Sequence, residues 1–150
     1  MNLNILMFFT DSVVYVSLLF IPLYLWGRDK KEVLLYFFIF LIDFLVVYGL
    51  KYMIGAPRPG FSLVPIPTSP SFPSMHSSLG FMPLGFFFNK KKLRIPLFVY
   101  GALIAYSRVY IGVHYWLDVI VGSFIGFFLS FYVYQKREKI YKFFSESNKK

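Results

Sequence analysis

The sequence predicts an all-α integral membrane protein, a helical bundle of about five transmembrane helices, and three observations lead there. Apolar residues make up 57% of the 150-residue chain and the mean hydropathy is +0.60, where soluble domains use about 45–50% apolar residues. These residues gather into runs approaching the roughly 20 that a helix needs to cross about 30 Å of hydrocarbon. The linkers between the runs are short and carry most of the charge. A spanning segment in lipid must be helical, because an open strand leaves backbone N–H and C=O groups unpaired. The length fits one membrane-embedded domain, residues 1–150.

The first run is Ile5 to Trp26. Its leader MNLN carries no basic residue, Asp11 interrupts it and no small-residue cleavage site follows, so it reads as a retained span and not a signal peptide. The second is Val33 to Ile54, with Asp43 inside. Charges within spans are costly, and no motif claims Asp11 or Asp43; both are expected to make hydrogen bonds between helices. Next comes GAPRPGFSLVPIPTSPSFPSMH, residues 55–76, with six of the nine prolines. That density forbids a regular helix or central strand and predicts a compact irregular loop on one face of the membrane.

The third run, Ser77 to Phe88, is short. Twelve residues at about 1.5 Å each cover only about 18 Å. Either the helix continues through Asn89 and the lysines, which snorkel, or its outer end lies inside the bilayer and recesses His76. Pro83 is positioned to kink it. The fourth run is Leu93 to Val109, with room to reach Val113, and the fifth is Tyr115 to Tyr134. The tail QKREKIYKFFSESNKK reads as a basic surface helix. There is no internal repeat, and without cysteine neither disulfides nor thiolate metal sites are available.

Charge orients the bundle. With five spans, one side of the membrane receives GRDKKE, NKKKLR and the tail, and with them 13 of the 16 basic residues. The positive-inside rule makes that side cytoplasmic and sends the N-terminus outward. Lys51, Arg58 and Arg108 remain on the outer side together with both histidines, His76 and His114, and with Asp118. Cations where cations are depleted need a reason beyond topology. Arginine offers a planar fork to phosphate oxygens and lysine a point charge. Histidines suit acid–base or nucleophilic work near neutral pH. His114 and Asp118 stand one helical turn apart, so the carboxylate can hold one ring nitrogen and leave the other bare to attack.

The same residues form three ordered motifs: KYMIGAPRP (Lys51 to Pro59), PSMH (Pro73 to His76) and SRVYIGVHYWLD (Ser107 to Asp118). In this the chain resembles the type 2 phosphatidic acid phosphatases, integral membrane lipid phosphatases, over about residues 33 to 134. The resemblance implies that Lys51, Arg58 and Arg108 bind the phosphate oxygens and that His114 attacks phosphorus to give a phosphohistidine. Asp118 would hold the His114 ring, and His76 would protonate the leaving alkoxide and then activate water. Ser74 and the backbone N–H groups at the start of the third span would add hydrogen bonds. The family needs no metal or other cofactor. One carboxylate beside the motifs on the outer face is too little for a magnesium or two-metal site. Two departures stand out. Met75 replaces the usual glycine and costs backbone freedom at the turn, and five spans replace the common six.

The resemblance implies hydrolysis of a lipid phosphomonoester or terminal diphosphate at the outer, periplasmic face of the cytoplasmic membrane. The partners are that lipid and the bilayer, with no nucleic acid; the basic tail is a topology and anionic-lipid feature. Lipid A 1-phosphate, phosphatidylglycerophosphate, phosphatidate and undecaprenyl diphosphate are all candidate substrates. Short outer loops that leave room for a bulky headgroup tilt the expectation towards lipid A 1-phosphate. A lipid transporter or flippase would use the same cations but predicts broken helices and internal repeats. A non-enzymatic scaffold would not need two histidines beside three cations.

Overall fold

The computed structural model describes residues 16–27 and 29–147. A π-helical turn, Val16–Phe20, leads into α1 (Ile21–Trp26). Then come α2 (Lys30–Ile54), α3 (Met75–Phe86), α4 (Lys91–Tyr110), α5 (Trp116–Gln135) and α6 (Arg137–Ser147). All regular structure among the described residues is helical. The expected first span is described only from Val16 onward, and Asp11 lies outside the described residues.

Two of the predicted spans, Lys30–Ile54 and Trp116–Gln135, are helices long and apolar enough to cross a membrane. The third span remains short. α3 has 12 residues, and the helix ends at Phe86, with a turn before α4 begins at Lys91. The helix therefore does not run on through Asn89 and the lysines, and it is a little over half the length that about 30 Å of hydrocarbon demands. Pro83 sits inside α3, past the first turn of the helix, without ending it.

Side-chain caps define the ends. The Asp29 carboxylate accepts the Lys31 N–H at 2.8 Å and opens α2. Gly55, in the left-handed conformation with φ +62°, closes it by donating its N–H to the Lys51 carbonyl. Ser74 caps α3 by accepting the Ser77 N–H. Asp118 caps α5 from within its first turn, accepting the Tyr115 N–H at 2.9 Å.

The core of the bundle is α3 packed on α5. Gly122, Gly126 and Ser130 form a stripe of small residues on α5, spaced four apart, that lets the α3 backbone come close. A Cβ on Gly126 would stand 1.9 Å from the Ser78 carbonyl oxygen, and one on Gly122 would stand 2.4 Å from that of Ser74. Ser130 completes the stripe by donating its hydroxyl to the Met82 carbonyl at 2.8 Å. Around this seam Tyr36, Ile39, Leu79, Met82, Phe86 and Tyr134 form the buried cluster.

Large apolar side chains cover the outside instead. Leu34, Leu45 and Met53 on α2, Ile95 and Leu103 on α4, and Phe124 and Phe128 on α5 are all exposed. A surface of this kind is suited to lipid. The helix ends separate by charge. Lys30, Lys31, Lys91 and Lys136 gather at the end where Tyr134 donates to Glu32 at 3.1 Å, and the proline loop gathers at the other.

Candidate active site

Residues 55–74 fold against the α4–α5 connection. The Leu63 N–H and the Ser62 hydroxyl both donate to the Ile111 carbonyl, each at 2.9 Å. Gly112 takes φ +78°, and a Cβ there would meet the Phe61 carbonyl oxygen at 2.4 Å, so only glycine lets the two segments touch. The Arg108 carbonyl accepts the Val113 N–H at 3.2 Å, which turns the chain after α4 so that His114 faces inward.

The outcome is a buried cluster of charge. Lys51, Arg108 and His114 are each 5% exposed and Asp118 is 3% exposed. Lys51, in the last turn of α2, donates its Nζ to the carbonyls of Pro70 at 2.8 Å and Ser71 at 3.0 Å. Arg58 reaches the Ser69 carbonyl with Nε at 2.8 Å and the Val113 carbonyl with Nη1 at 2.7 Å. The same Nη1 lies 3.4 Å from His114 Nε2. On the far side of the ring, Nδ1 lies 3.2 Å from Asp118 Oδ2.

These contacts fix the tautomer. A guanidinium only donates and a carboxylate only accepts. The ring proton therefore belongs on Nδ1, towards Asp118, and Nε2 presents its lone pair towards Arg58. Burial, then Arg58, then Lys51 hold the His114 imidazole well below its ordinary pKa of 6.5, with Asp118 pulling the other way. The ring is therefore neutral at neutral pH. Burial likewise lowers the Arg58 guanidinium, and Asp118 opposes that shift.

The remaining predicted residues stand at the same end of the bundle. Arg108 is buried in the last turn of α4. Ser74 is fully buried, and its N–H donates to the Asp118 carbonyl at 3.0 Å, which ties the start of α3 to the start of α5. Its hydroxyl accepts from the N–H and the hydroxyl of Ser77 as a helix cap. His76 is half-buried in the first turn of α3. Met75 begins that helix, and among the described residues none other than glycine has a positive φ. The freedom of a glycine is thus not used at position 75, and the side chain packs against the buried cluster.

Ser71 was not singled out by the sequence. Fully buried, it donates its hydroxyl to Asp118 Oδ2 and lies 3.4 Å from His114 Nδ1. Its residue type in a serine- and proline-rich loop gives no signal that distinguishes it from Ser69 or Ser62. Asp43 is buried and accepts the Ser78 hydroxyl at 2.7 Å, joining α2 to α3 as expected for a helix-to-helix contact. Among the described residues there is no group of three or more His, Cys, Asp or Glu that could hold a metal ion.

A groove of about 520 Å³ lies between α3, α4 and α5. Phe81, Leu84, Tyr106, Trp116 and Phe124 line it, and Trp116 stands two residues past His114.

The profile of the PAP2 superfamily matches residues 32–142. The chain is 28% identical to the undecaprenyl-diphosphatase BcrC of Bacillus subtilis (strain 168) over 83% of its own length and 71% of that protein's. It is 34% identical to phosphatidylglycerophosphatase B of the same organism, over 77% of this chain and 63% of that one, so it spans a little less than two thirds of that relative. Two crystal structures superpose on it. One is a transmembrane PAP2 type phosphatidylglycerolphosphate phosphatase from Bacillus subtilis, with TM-score 0.77, 29% identity and coverage of 91% of this chain and 77% of that one. The other is Aquifex aeolicus LpxE, with TM-score 0.73, 28% identity and coverage of 90% and 88%.

Proposed function

The chain belongs to the PAP2 superfamily and is a membrane-associated hydrolase of phosphate esters; from that premise we propose that it removes phosphate from a lipid headgroup at the outer face of the cytoplasmic membrane through a phosphohistidine on His114. The observation that carries this reading is the setting of the His114 ring. Nδ1 is tied to Asp118 at 3.2 Å, while Nε2 points away from the carboxylate and lies 3.4 Å from Nη1 of Arg58, a proposed phosphate-binding cation.

The Nε2 lone pair attacks phosphorus. The bond from phosphorus to the lipid oxygen breaks, and His76 gives that oxygen its proton. Water then attacks the phosphohistidine, His76 takes the water's proton, the P–N bond breaks, and inorganic phosphate leaves. Lys51, Arg58 and Arg108 carry the charge of the phosphoryl group through both steps, with the Ser74 hydroxyl and the first N–H groups of α3 as added donors. Asp118 holds the ring and stabilises the imidazolium character it gains. Fixed cations fill the role that magnesium has in other phosphoryl transfers.

A lipid substrate is supported by the exposed apolar belt and by an apolar groove whose lining includes Trp116, two residues past His114 in the chain. The outward orientation is supported by charge, with 13 of the 16 basic residues on the linkers and tail opposite the site. Lipid A 1-phosphate was favoured on the ground that short outer loops leave the site open. The fold removes that ground, because the proline loop lies over the α4–α5 connection and His114 is buried beneath it. The substrate class is therefore a lipid phosphomonoester or terminal diphosphate, drawn from lipid A 1-phosphate, phosphatidylglycerophosphate, phosphatidate and undecaprenyl diphosphate.

The test is phosphate release by detergent-purified protein across those four lipids, with EDTA present. Release that EDTA does not suppress is the expected result, and the relative rates identify the substrate. Folded protein that releases phosphate from none of them overturns the proposal.

A further inference from the structure

We propose that Ser71 is a positioning residue of the reaction: its hydroxyl fixes the Asp118 carboxylate and the His114 ring from the side that α5 cannot reach. The inference rests on the phosphohistidine reading for its kinetic consequence and on geometry alone for its placement.

His114 and Asp118 are a loose pair by themselves. Their 3.2 Å separation exceeds the roughly 2.7–2.9 Å of a strong charge-assisted hydrogen bond. One further donor holds the carboxylate from its own helix start, the Tyr115 N–H at 2.9 Å. That contact leaves the carboxylate free to rock about the start of α5. Ser71 approaches from a different segment, the proline loop, and donates its hydroxyl to the same oxygen, Oδ2. Two donors from two directions leave the carboxylate one orientation.

The same hydroxyl oxygen lies 3.4 Å from His114 Nδ1. Its proton goes to Asp118, so it turns a lone pair towards the ring. The Nδ1 proton then has two acceptors, Asp118 Oδ2 and Ser71 Oγ, and both favour the tautomer that leaves Nε2 bare.

Ser71 can do this because it is itself held. Its N–H donates to the Ala56 carbonyl at 2.8 Å, and its carbonyl accepts Lys51 Nζ at 3.0 Å. It is fully buried, so water cannot replace the hydroxyl. One residue of the loop thus joins a phosphate-binding cation to the carboxylate that orients the nucleophile.

The test compares Ser71→Ala and Ser71→Cys with the wild type. Removing one hydrogen bond to a charged group is worth about a 10- to 100-fold effect. Ser71→Ala is expected to lower kcat by that factor with KM unchanged. A thiol fills the space of the hydroxyl but donates weakly, so Ser71→Cys should resemble Ala in rate. Cys at wild-type rate would reduce Ser71 to packing and overturn the proposal.

A second measurement does not need turnover. The chain has two histidines, so histidine-selective ¹⁵N labelling with a His76→Gln variant assigns both rings by NMR. Wild type should show His114 protonated at Nδ1, and Ser71→Ala, which keeps Arg58 and Asp118, should keep that tautomer but with a shifted and broadened Nδ1 resonance as one of its two acceptors is lost. An unchanged His114 spectrum overturns the proposal. Wild-type protein that hydrolyses no lipid phosphate while its His114 Nδ1 resonance still depends on Ser71 would overturn the phosphatase reading and leave the positioning role standing.

Discussion

Asp43 on α2 and Ser78 on α3 are joined by a 2.7 Å hydrogen bond between two fully buried side chains. The bond fixes the helix that carries Lys51 against the helix that carries His76. Loss of a buried acceptor costs about 1–3 kcal/mol through the donor it strands. Asp43→Ala should lower stability by that amount, and Asp43→Asn, which keeps an acceptor oxygen, should lose less. Denaturation of the two variants in the same detergent checks this, and equal losses would count against the hydrogen bond.

His114→Ala removes the proposed nucleophile, whose Nε2 lies 3.4 Å from Arg58 Nη1. Turnover should fall at least about 1,000-fold, on the scale seen when a covalent nucleophile is deleted. The variant should keep its melting behaviour in detergent. Brief exposure of wild type to radiolabelled substrate should leave acid-labile label on the protein, and His114→Ala should leave none.

Burial and the two neighbouring cations lower the His114 pKa in the folded protein. The unfolded chain therefore binds a proton at higher pH than the folded one. The contribution to stability is present in full above about 6.5, the unfolded value, and is lost as pH falls below it towards the lower folded value. Melting temperature should drop between pH 7 and pH 5 more steeply for wild type than for His114→Gln. Parallel curves would argue against a depressed folded value.

The small-residue seam gives a paired test. A Cβ on Gly126 would meet the Ser78 carbonyl oxygen at 1.9 Å, whereas one on Gly49 would meet nothing within 4 Å. Gly126→Ala must push α5 away from α3 and should cost about 1–3 kcal/mol or more, with loss of activity as Ser74 and Asp118 separate. Gly49→Ala should be neutral or slightly stabilising. Thermal melts of both variants decide it.

Met75 opens α3 in an ordinary helical conformation. Restoring glycine there should leave turnover close to wild type and cost up to about 1 kcal/mol of helix propensity. A large gain in rate for Met75→Gly would mean that the turn needs flexibility after all.

Much of this arrangement was legible in the sequence. Apolar run length located α2, α4 and α5 to within a few residues, because a membrane imposes one period and one minimum length. The pairing of His114 with Asp118 was expected from one turn of helix; the two do meet, but His114 lies ahead of α5 and Asp118 reaches back to it from the first turn. Ser71 was not legible, because its role depends on how an irregular proline loop folds, and no periodicity governs such a loop. The covering of the site was misjudged for the same reason: loop length is visible in sequence, but the loop's path over Ile111 and Val113 is not. The stripe at Gly122, Gly126 and Ser130 was available in the spacing and passed unread among so many apolar neighbours.

Lys51 and Arg58 donate to the carbonyls of Ser69, Pro70, Ser71 and Val113. A phosphate held by the proposed cations would have to compete with those oxygens. The peptide groups of the loop thus act as a standing competitor for the cations. On the proposed mechanism, free phosphate, with no hydrocarbon tail to hold it, would face that competition alone, which favours its release.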